Sequence, residues 1–452
     1  MAARRRPAGA LIGAALLLLA ADFSSGQRTG LARDEFLNRR AALMKACPEG
    51  IILLFGGALP PSGAHFRQDN DFFYFTGLDE LNAVVALTPR TGRSALFLPR
   101  QSPREKMIGG ANALERGDKP ESLGFTEILS ADYLEEFLAR NVRAEKKVFY
   151  LRLSPGDELA DDRWETLIFL ARKNRSPFDD QVTLDQYRAQ KLRTNYPWVE
   201  FRDLGPAVDG MRVIKTAGEI EILRRNGRIS AEGVIQAMLA SRPGGYEYEI
   251  EGAAVGSIIK NGARGPAYAP IVGSGPNTCV WHYDDNGRRV QDGDLILMDF
   301  GADLDHLCMD ITRTWPANGR FSPEQREIYQ VVLEVEKACI EAYKPGATDD
   351  EVRRHVAEVM KRTNLDPRGL TGGFGHHVGL SVHDGYGSGR VLKEGMVFAI
   401  EPALYFPEKN LGVRVEDTVL ITATGCEVLT AGVPKEIDEI EKLLATRKSP
   451  DQ

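Results

Sequence analysis

The sequence predicts an α+β domain in its second half, preceded by a smaller amino-terminal domain built on a mixed sheet. Three observations carry this. The chain has 452 residues, more than one ordinary hydrophobic core accommodates, so two domains are expected. In the second half, helix-opening signatures alternate with apolar strand-like runs that suggest hairpins rather than parallel crossovers. Several of those runs hold an acidic residue among aliphatic neighbours, an expensive placement that demands a compensating charge.

At the start, Arg4, Arg5 and Arg6 precede an uncharged apolar run from Ala10 to Ala21 and then the small residues Ser24, Ser25 and Gly26. That order is expected of a secretory signal peptide over residues 1–26, which makes the protein exported, periplasmic or secreted. The apolar run is too short to cross a bilayer core of about 30 Å as a helix, so no stable membrane insertion is expected. Residues 27–190 form the expected amino-terminal domain. IILLFGG (51–57), DFFYFTG (71–77), AVVALTP (83–89) and SALFLP (94–99) read as its strands, and the stretch from Ala131 to Arg140 as one of its helices. Polar and proline-containing sequence from Asn174 to Pro206 marks the connection, with the linker placed at 191–210.

The second domain is expected over 211–447. Thr216 with Glu219 is a capping box that opens a helix through Ile220, Leu223, Val234 and Met238. Ser322 with Pro323 and Gln325 opens a second, and Thr348 with Glu351 a third. Between them YAPIVGSG (268–275), DLILMDFG (294–301), CMDITRTW (308–315), MVFAIEPALYF (396–406) and GVRVEDTVLIT (412–422) read as strands.

Composition narrows the function. The chain is 43% hydrophobic and 27% charged, which is the balance of a globular protein. Its net charge of −7 is spread evenly, without the basic face that nucleic acid requires. No 20–50-residue repeat is visible, which excludes solenoids and propellers. Cys47, Cys279, Cys308, Cys339 and Cys426 are odd in number and without CxxC spacing, so buried free thiols are expected rather than a disulfide framework or a cysteine zinc site.

The chemistry-bearing residues are the acids inside the apolar runs. Asp299 ends Leu295-Ile296-Leu297-Met298, and Asp310 follows eleven residues later, so that a hairpin turning through Gly301 to His306 would bring the two carboxylates together. Glu401 lies in Phe398-Ala399-Ile400-Glu401-Pro402 and Glu416 in Val413-Arg414-Val415-Glu416. Four such acids would repel one another strongly without a cation. His376, His377 and His383 fall within GFGHHVGLSVHD (373–384), and His282 follows a glycine-rich loop. Four carboxylates and an imidazole suit manganese, cobalt or zinc, and that many charges suit two ions rather than one. A pair of divalent ions polarises a carbonyl and activates water, which is hydrolase chemistry, with a further histidine free to stabilise an oxyanion.

The order Asp, Asp, His, Glu, Glu and the strings MDFG, MDITRTW, GHHVGLSVHD, EPALY and VRVEDTVLIT resemble the pita-bread metallopeptidases, the group of aminopeptidase P, prolidase and methionine aminopeptidase. FRQDNDFFYFTG (66–77) is similar to the amino-terminal domain of the aminopeptidase P branch. The resemblance implies a pita-bread catalytic domain behind a creatinase-like α/β amino-terminal domain. It implies two divalent metal ions, manganese foremost, on Asp299, Asp310, His376, Glu401 and Glu416, with Asp310 and Glu416 bridging. Glu401 would also serve as general base, and His282 and His383 would contact substrate and stabilise the tetrahedral intermediate. Tyr405 and Arg414 would line the pocket for the residue after the scissile bond, and Thr312 would hold a ligand carboxylate. Two positions depart from the pattern: Gly372 stands where a histidine is usual, and Ala403 where the EPGLY string has glycine.

The activity implied is release of the first residue from peptides with proline in second position. The alternatives are a dipeptidase restricted to Xaa-Pro and an inactive binding member of the fold, which would lose metal ligands. The partners implied are peptide substrates and a second or further copy of the chain, as a homodimer or homotetramer.

Overall fold

The computed structural model describes residues 30–58, 65–144, 146–153, 182–362, 370–371, 375–385 and 391–447, with scattered residues between 166 and 178. The expected signal peptide and Gly372 lie outside the described residues.

The amino-terminal part opens with α1 (Arg33–Ala46) and β1 (Ile51–Phe55), followed by α2 (Asn70–Thr76), β2 (Val84–Thr88) and β3 (Arg93–Leu98). Then come α3 (Pro103–Gly109), α4 (Ala113–Arg116), β4 (Glu127–Ser130), α5 (Leu134–Ala144) and β5 (Val148–Leu151). α6 (Leu184–Asn195), β6 (Glu200–Asp203) and α7 (Gly205–Arg212) complete it. The six strands form one mixed sheet in the order β4-β3-β2-β1-β5-β6. β1, β2 and β3 pair antiparallel as a meander, while β4, β5 and β6 add in parallel after helical crossovers.

Two expectations are corrected here. DFFYFTG is the helix α2, not a strand: Asp69 caps it by accepting from the Phe72 N–H, and Gly77 ends it in a left-handed turn at φ 66°. Aromatic residues favour strands only weakly, and two good caps outweigh them. The stretch 191–210 is no free linker, because β6 lies within it and pairs with β5 from Val148↔Glu200 to Leu151↔Asp203.

The second part begins with α8 (Ala217–Ala240), opened by the Thr216–Glu219 capping box, and α9 (Glu247–Lys260) packed along it. β7 (Gly265–Pro266), β8 (Ile271–Ser274), β9 (Leu295–Phe300), β10 (Ala302–Leu304), β11 (Leu307–Cys308) and β12 (Ile311–Pro316) follow. α10 (Pro323–Ala342) and α11 (Asp349–Met360) both open with capping boxes. β13 (Leu370–Thr371), β14 (His376–His377), β15 (Val397–Ile400), β16 (Ala403–Phe406), β17 (Leu411–Arg414), β18 (Asp417–Ile421), β19 (Cys426–Val428) and α12 (Ile437–Leu444) complete the described elements. The strands form four small sheets: β11-β10-β7, β12-β9-β8, β13-β16-β17 and β14-β15-β18-β19.

Each of the two long runs expected as single strands is in fact two. β15 leaves its sheet after Ile400 and continues as β16 in the next, and β17 likewise gives way to β18. The breaks face each other, since Ile400 pairs with Asp417 on one side and Ala403 with Arg414 on the other. Glu401 and Glu416 occupy these two breaks. An acid at a switch between sheets leaves the apolar ladders intact, and both carboxylates lie beside His376.

The helices α8 to α11 pack on these sheets around a core that includes Val234, Met298, Trp315, Tyr329 and Phe398. A second cluster joins the two parts, with Phe73, Phe75 and Val208 against Leu307, Val378 and Val397. Cys47, Cys308 and Cys339 are buried and Cys279 and Cys426 half-buried, all as free thiols.

Candidate metal centre

The centre starts from β9 and β12. They pair antiparallel with Asp299 opposite Thr312, so the β9 acid projects from the sheet toward the edge where Asp310 stands, one residue before β12. The intervening chain is not a plain turn: β10 and β11 form their own tight hairpin, with Asp305 and His306 at φ 52° and 66°. Tyr268, ahead of β8, ties the two acids together. Its buried hydroxyl contacts Asp299 Oδ1 and lies 2.6 Å from Asp310 Oδ1.

Asp310, His376 and Glu416 converge, each offering a ligand atom within 4.8 Å of the others'. His376 is carried by β14, whose pairing to β15 sets it opposite Ala399. Its Nε2 lies 3.4 Å from Asp310 Oδ2 and 3.7 Å from Glu401 Oε1. Glu416 accepts from Thr312 Oγ1 at 2.6 Å, and Thr312 Oγ1 accepts in turn from Arg414 Nε at 3.0 Å. Arg414 bonds Asp299 through one terminal nitrogen and Tyr405 Oη through the other, at 2.9 Å. His383 packs edge-on to His376 with ring centroids 4.0 Å apart.

Asp299, Asp310, His376, Glu401, Glu416, His383, Arg414 and Tyr405 are thus brought into one cluster, although Asp299 and Glu401 stand outside its tightest triplet. His282 is exposed on the rim, near enough for its charge to act on the Glu401 carboxyl. Its neighbour Trp281 stacks on Tyr405 at 5.9 Å. Tyr268 and Trp281 were not singled out in the sequence. Their local strings carry no signal, since a tyrosine or tryptophan beside an apolar run is ordinarily core.

Electrostatics say what the cluster lacks. Burial, then the Asp299 charge, pushes Asp310 well above the ordinary aspartate range. Glu416 is raised by burial and by Asp310, Asp299 and Glu401. Glu401 is raised by burial and Asp299, against the pull of Arg414, His383 and His282. The Arg414 guanidinium holds its proton well above its usual range, because Tyr405 and the carboxylates overcome the penalty of burial. One guanidinium cannot balance four carboxylates in a dry site. The surplus is negative, the donors are oxygen with one imidazole, and divalent cations fit that set.

Residues 221–423 match Metallopeptidase family M24, and residues 36–150 match the amino-terminal domain of aminopeptidase P. The Xaa-Pro aminopeptidase of Haemophilus influenzae is 34% identical over 451 residues, covering 92% of this chain and 98% of that protein. This chain belongs to the M24 metallopeptidases. The Escherichia coli Xaa-Pro aminopeptidase is 33% identical over 92% of this chain and 99% of its own length. A solved structure of zinc-substituted E. coli aminopeptidase P in complex with product superposes with a TM-score of 0.78 at 32% identity, covering 93% of this chain and all of that one. For this M24 metallopeptidase, the expected two-part architecture is therefore correct, with an amino-terminal domain that matches the one of aminopeptidase P.

Proposed function

We propose that this metallopeptidase releases the amino-terminal residue from peptides whose second residue is proline. The observation that carries the reading is the convergence of Asp310, His376 and Glu416 in a buried site with surplus negative charge. The curated relatives that match nearly end to end are Xaa-Pro aminopeptidases, which favours this over an Xaa-Pro dipeptidase or an inactive fold.

In this reading Asp299, Asp310, His376, Glu401 and Glu416 hold two divalent ions, with manganese as the first choice and cobalt or zinc as alternatives. Such ions supply polarisation of the scissile carbonyl and acidification of the attacking water. The chain's own groups do the rest. Glu401, 3.7 Å from His376 Nε2 at the edge of the donor triplet, takes the proton from water. His383 and His282 donate to the carbonyl oxygen as charge develops on it. Tyr405, fixed by Arg414, offers an apolar wall to the proline ring, which has no N–H to satisfy. Arg414 holds Asp299 in an ion pair and Thr312 keeps Glu416 in one orientation.

The test is a pair of peptide series with proline or alanine in second position. Proline peptides should be cleaved with kcat/KM at least about tenfold higher, roughly 1.4 kcal/mol of discrimination. Equal rates would remove the proline preference. We also propose that the protein is exported and acts as a homodimer or homotetramer. A mature amino terminus near Gln27 in an extracytoplasmic fraction, and mass by light scattering, check those two statements.

A further inference from the structure

The FRQDNDFFYFTG segment lies in the amino-terminal domain, contributes no candidate ligand, and yet is tied to the catalytic domain by a dense set of polar contacts. From it a row of charges alternates in sign across the domain boundary. Asp209 meets Arg152 at 3.1 Å, and Arg152 meets Asp71 Oδ2 at 2.6 Å. Asp71 Oδ1 meets Arg212 at 2.9 Å, Arg212 meets Asp384 at 2.7 Å, and Asp384 meets Lys215 at 3.4 Å. Arg152, Arg212, Lys215 and Asp384 are buried. Burying that many charges is costly unless each is paired, so the row is fixed in one arrangement.

The row ends on the loop that carries His383. Asp384, the next residue, closes that loop from within: its backbone N–H donates to His377 O at 2.7 Å, and its Oδ2 accepts from the Leu380 N–H at 3.2 Å. The loop is built around this carboxylate, because a Cβ on Gly379 would fall 1.9 Å from Asp384 Oδ2. The same segment of the amino-terminal domain grips the loop twice more. Asn70 Nδ2 donates to Ser381 Oγ at 3.1 Å, and Arg67 donates to Leu380 O at 2.7 Å while its other nitrogens hold Asn70 and Asp303.

We propose that Asp71, acting through Arg212 and Asp384, is a positioning residue for His383, so that the amino-terminal domain sets the aim of a catalytic imidazole to which it contributes no reacting group. The inference rests on the reading of His383 as a donor to the substrate carbonyl. Asp71 touches neither substrate nor the metal donors. Its effect reaches the site as geometry: a loop that relaxes by a fraction of an ångström misplaces the donor as charge develops.

The test is a double-mutant cycle on metal-loaded, full-length enzyme, comparing wild type, Asp71→Asn, His383→Ala and the double variant on a proline-second peptide. Asp71→Asn should lower kcat about tenfold or more, the scale for residues that orient catalytic groups, while KM and metal content stay within about twofold. In the His383→Ala background the same change should produce no further loss, since the group it aims is gone. A merely structural role would instead lower melting temperature and metal retention and multiply the two losses, and that result overturns the inference. Wild-type kcat in His383→Ala would overturn it together with the role given to His383, whereas a loss there with no effect of Asp71→Asn overturns the inference alone. Should Asp71→Asn fail to fold, Ser381→Ala, which removes the hydroxyl that Asn70 and Arg212 meet on the loop, enters the same cycle with the same expected outcomes.

Discussion

At the level of single residues, Glu401 and Asp310 are set apart by their surroundings. Asp310 shares the hydroxyl of Tyr268 with Asp299 and belongs to the tightest donor triplet. Glu401 stands at its edge, answered by Arg414 and two imidazoles. Changing Asp310 to Asn should therefore remove at least one metal ion per chain by elemental analysis, and activity with it. Glu401→Gln should keep part of its metal but lose turnover by about 10²-fold or more, because an amide cannot accept the proton of water. Retained activity in either variant would contradict these roles. The acids were legible in the sequence because a carboxylate between aliphatic residues is a conspicuous expense. Tyr268 was not, because its hydroxyl reaches Asp299 and Asp310 only after β8, β9 and β12 have assembled. Nor was Asp71, whose significance lies in a chain of charges gathered from four distant segments.

At the level of elements, the two sheet switches do most to shape the cleft. Pro402 was a local sign of the first, since proline interrupts a strand ladder. Nothing comparable marks the second, where Val415 and Glu416 continue an apolar alternation, so that break is dictated by its partner across the sheets. α2 shows the converse. Its capping residues Asp69 and Gly77 were present in the sequence at helical spacing, but the aromatic run between them favoured a strand reading. One close approach fixes the element that carries both aspartates. Gly301 lies between β9 and β10, where an added Cβ would fall 1.7 Å from the Met309 carbonyl oxygen. Gly301→Ala should accordingly cost about 1–3 kcal/mol of stability, the range for forced overpacking, read as a lower denaturant midpoint. An unchanged midpoint would mean that the β9–β12 connection yields more easily than its packing implies.

At the scale of the whole molecule, the two domains share one buried seam, and His306 sits in it. Its ring stacks on Phe73 of the amino-terminal domain at 3.6 Å, and its Nε2 faces Arg264 at 2.7 Å and Asp79 at 3.1 Å. Burial lowers the His306 pKa below its ordinary 6.5, more than Asp79 restores it. The folded state thus binds fewer protons than the unfolded one once pH falls below about 6.5, so stability is lost as acid is added through that range. Wild-type protein should show this loss in thermal melts, and His306→Gln should flatten it; an identical slope in both would place the acid sensitivity elsewhere. The two-domain organisation itself was readable from chain length and from the change in element pattern. The seam was not, because Phe73, Val208 and Val378 read as ordinary core residues until the domains meet. Mass analysis of one digest tests most simply whether this metallopeptidase cuts the bond before proline. Metal-reconstituted enzyme is incubated with a peptide of sequence Xaa-Pro-Xaa-Xaa. Free first residue and the intact Pro-Xaa-Xaa remainder should be the first products; an uncut peptide, or a first cut at any other bond, rules this activity out.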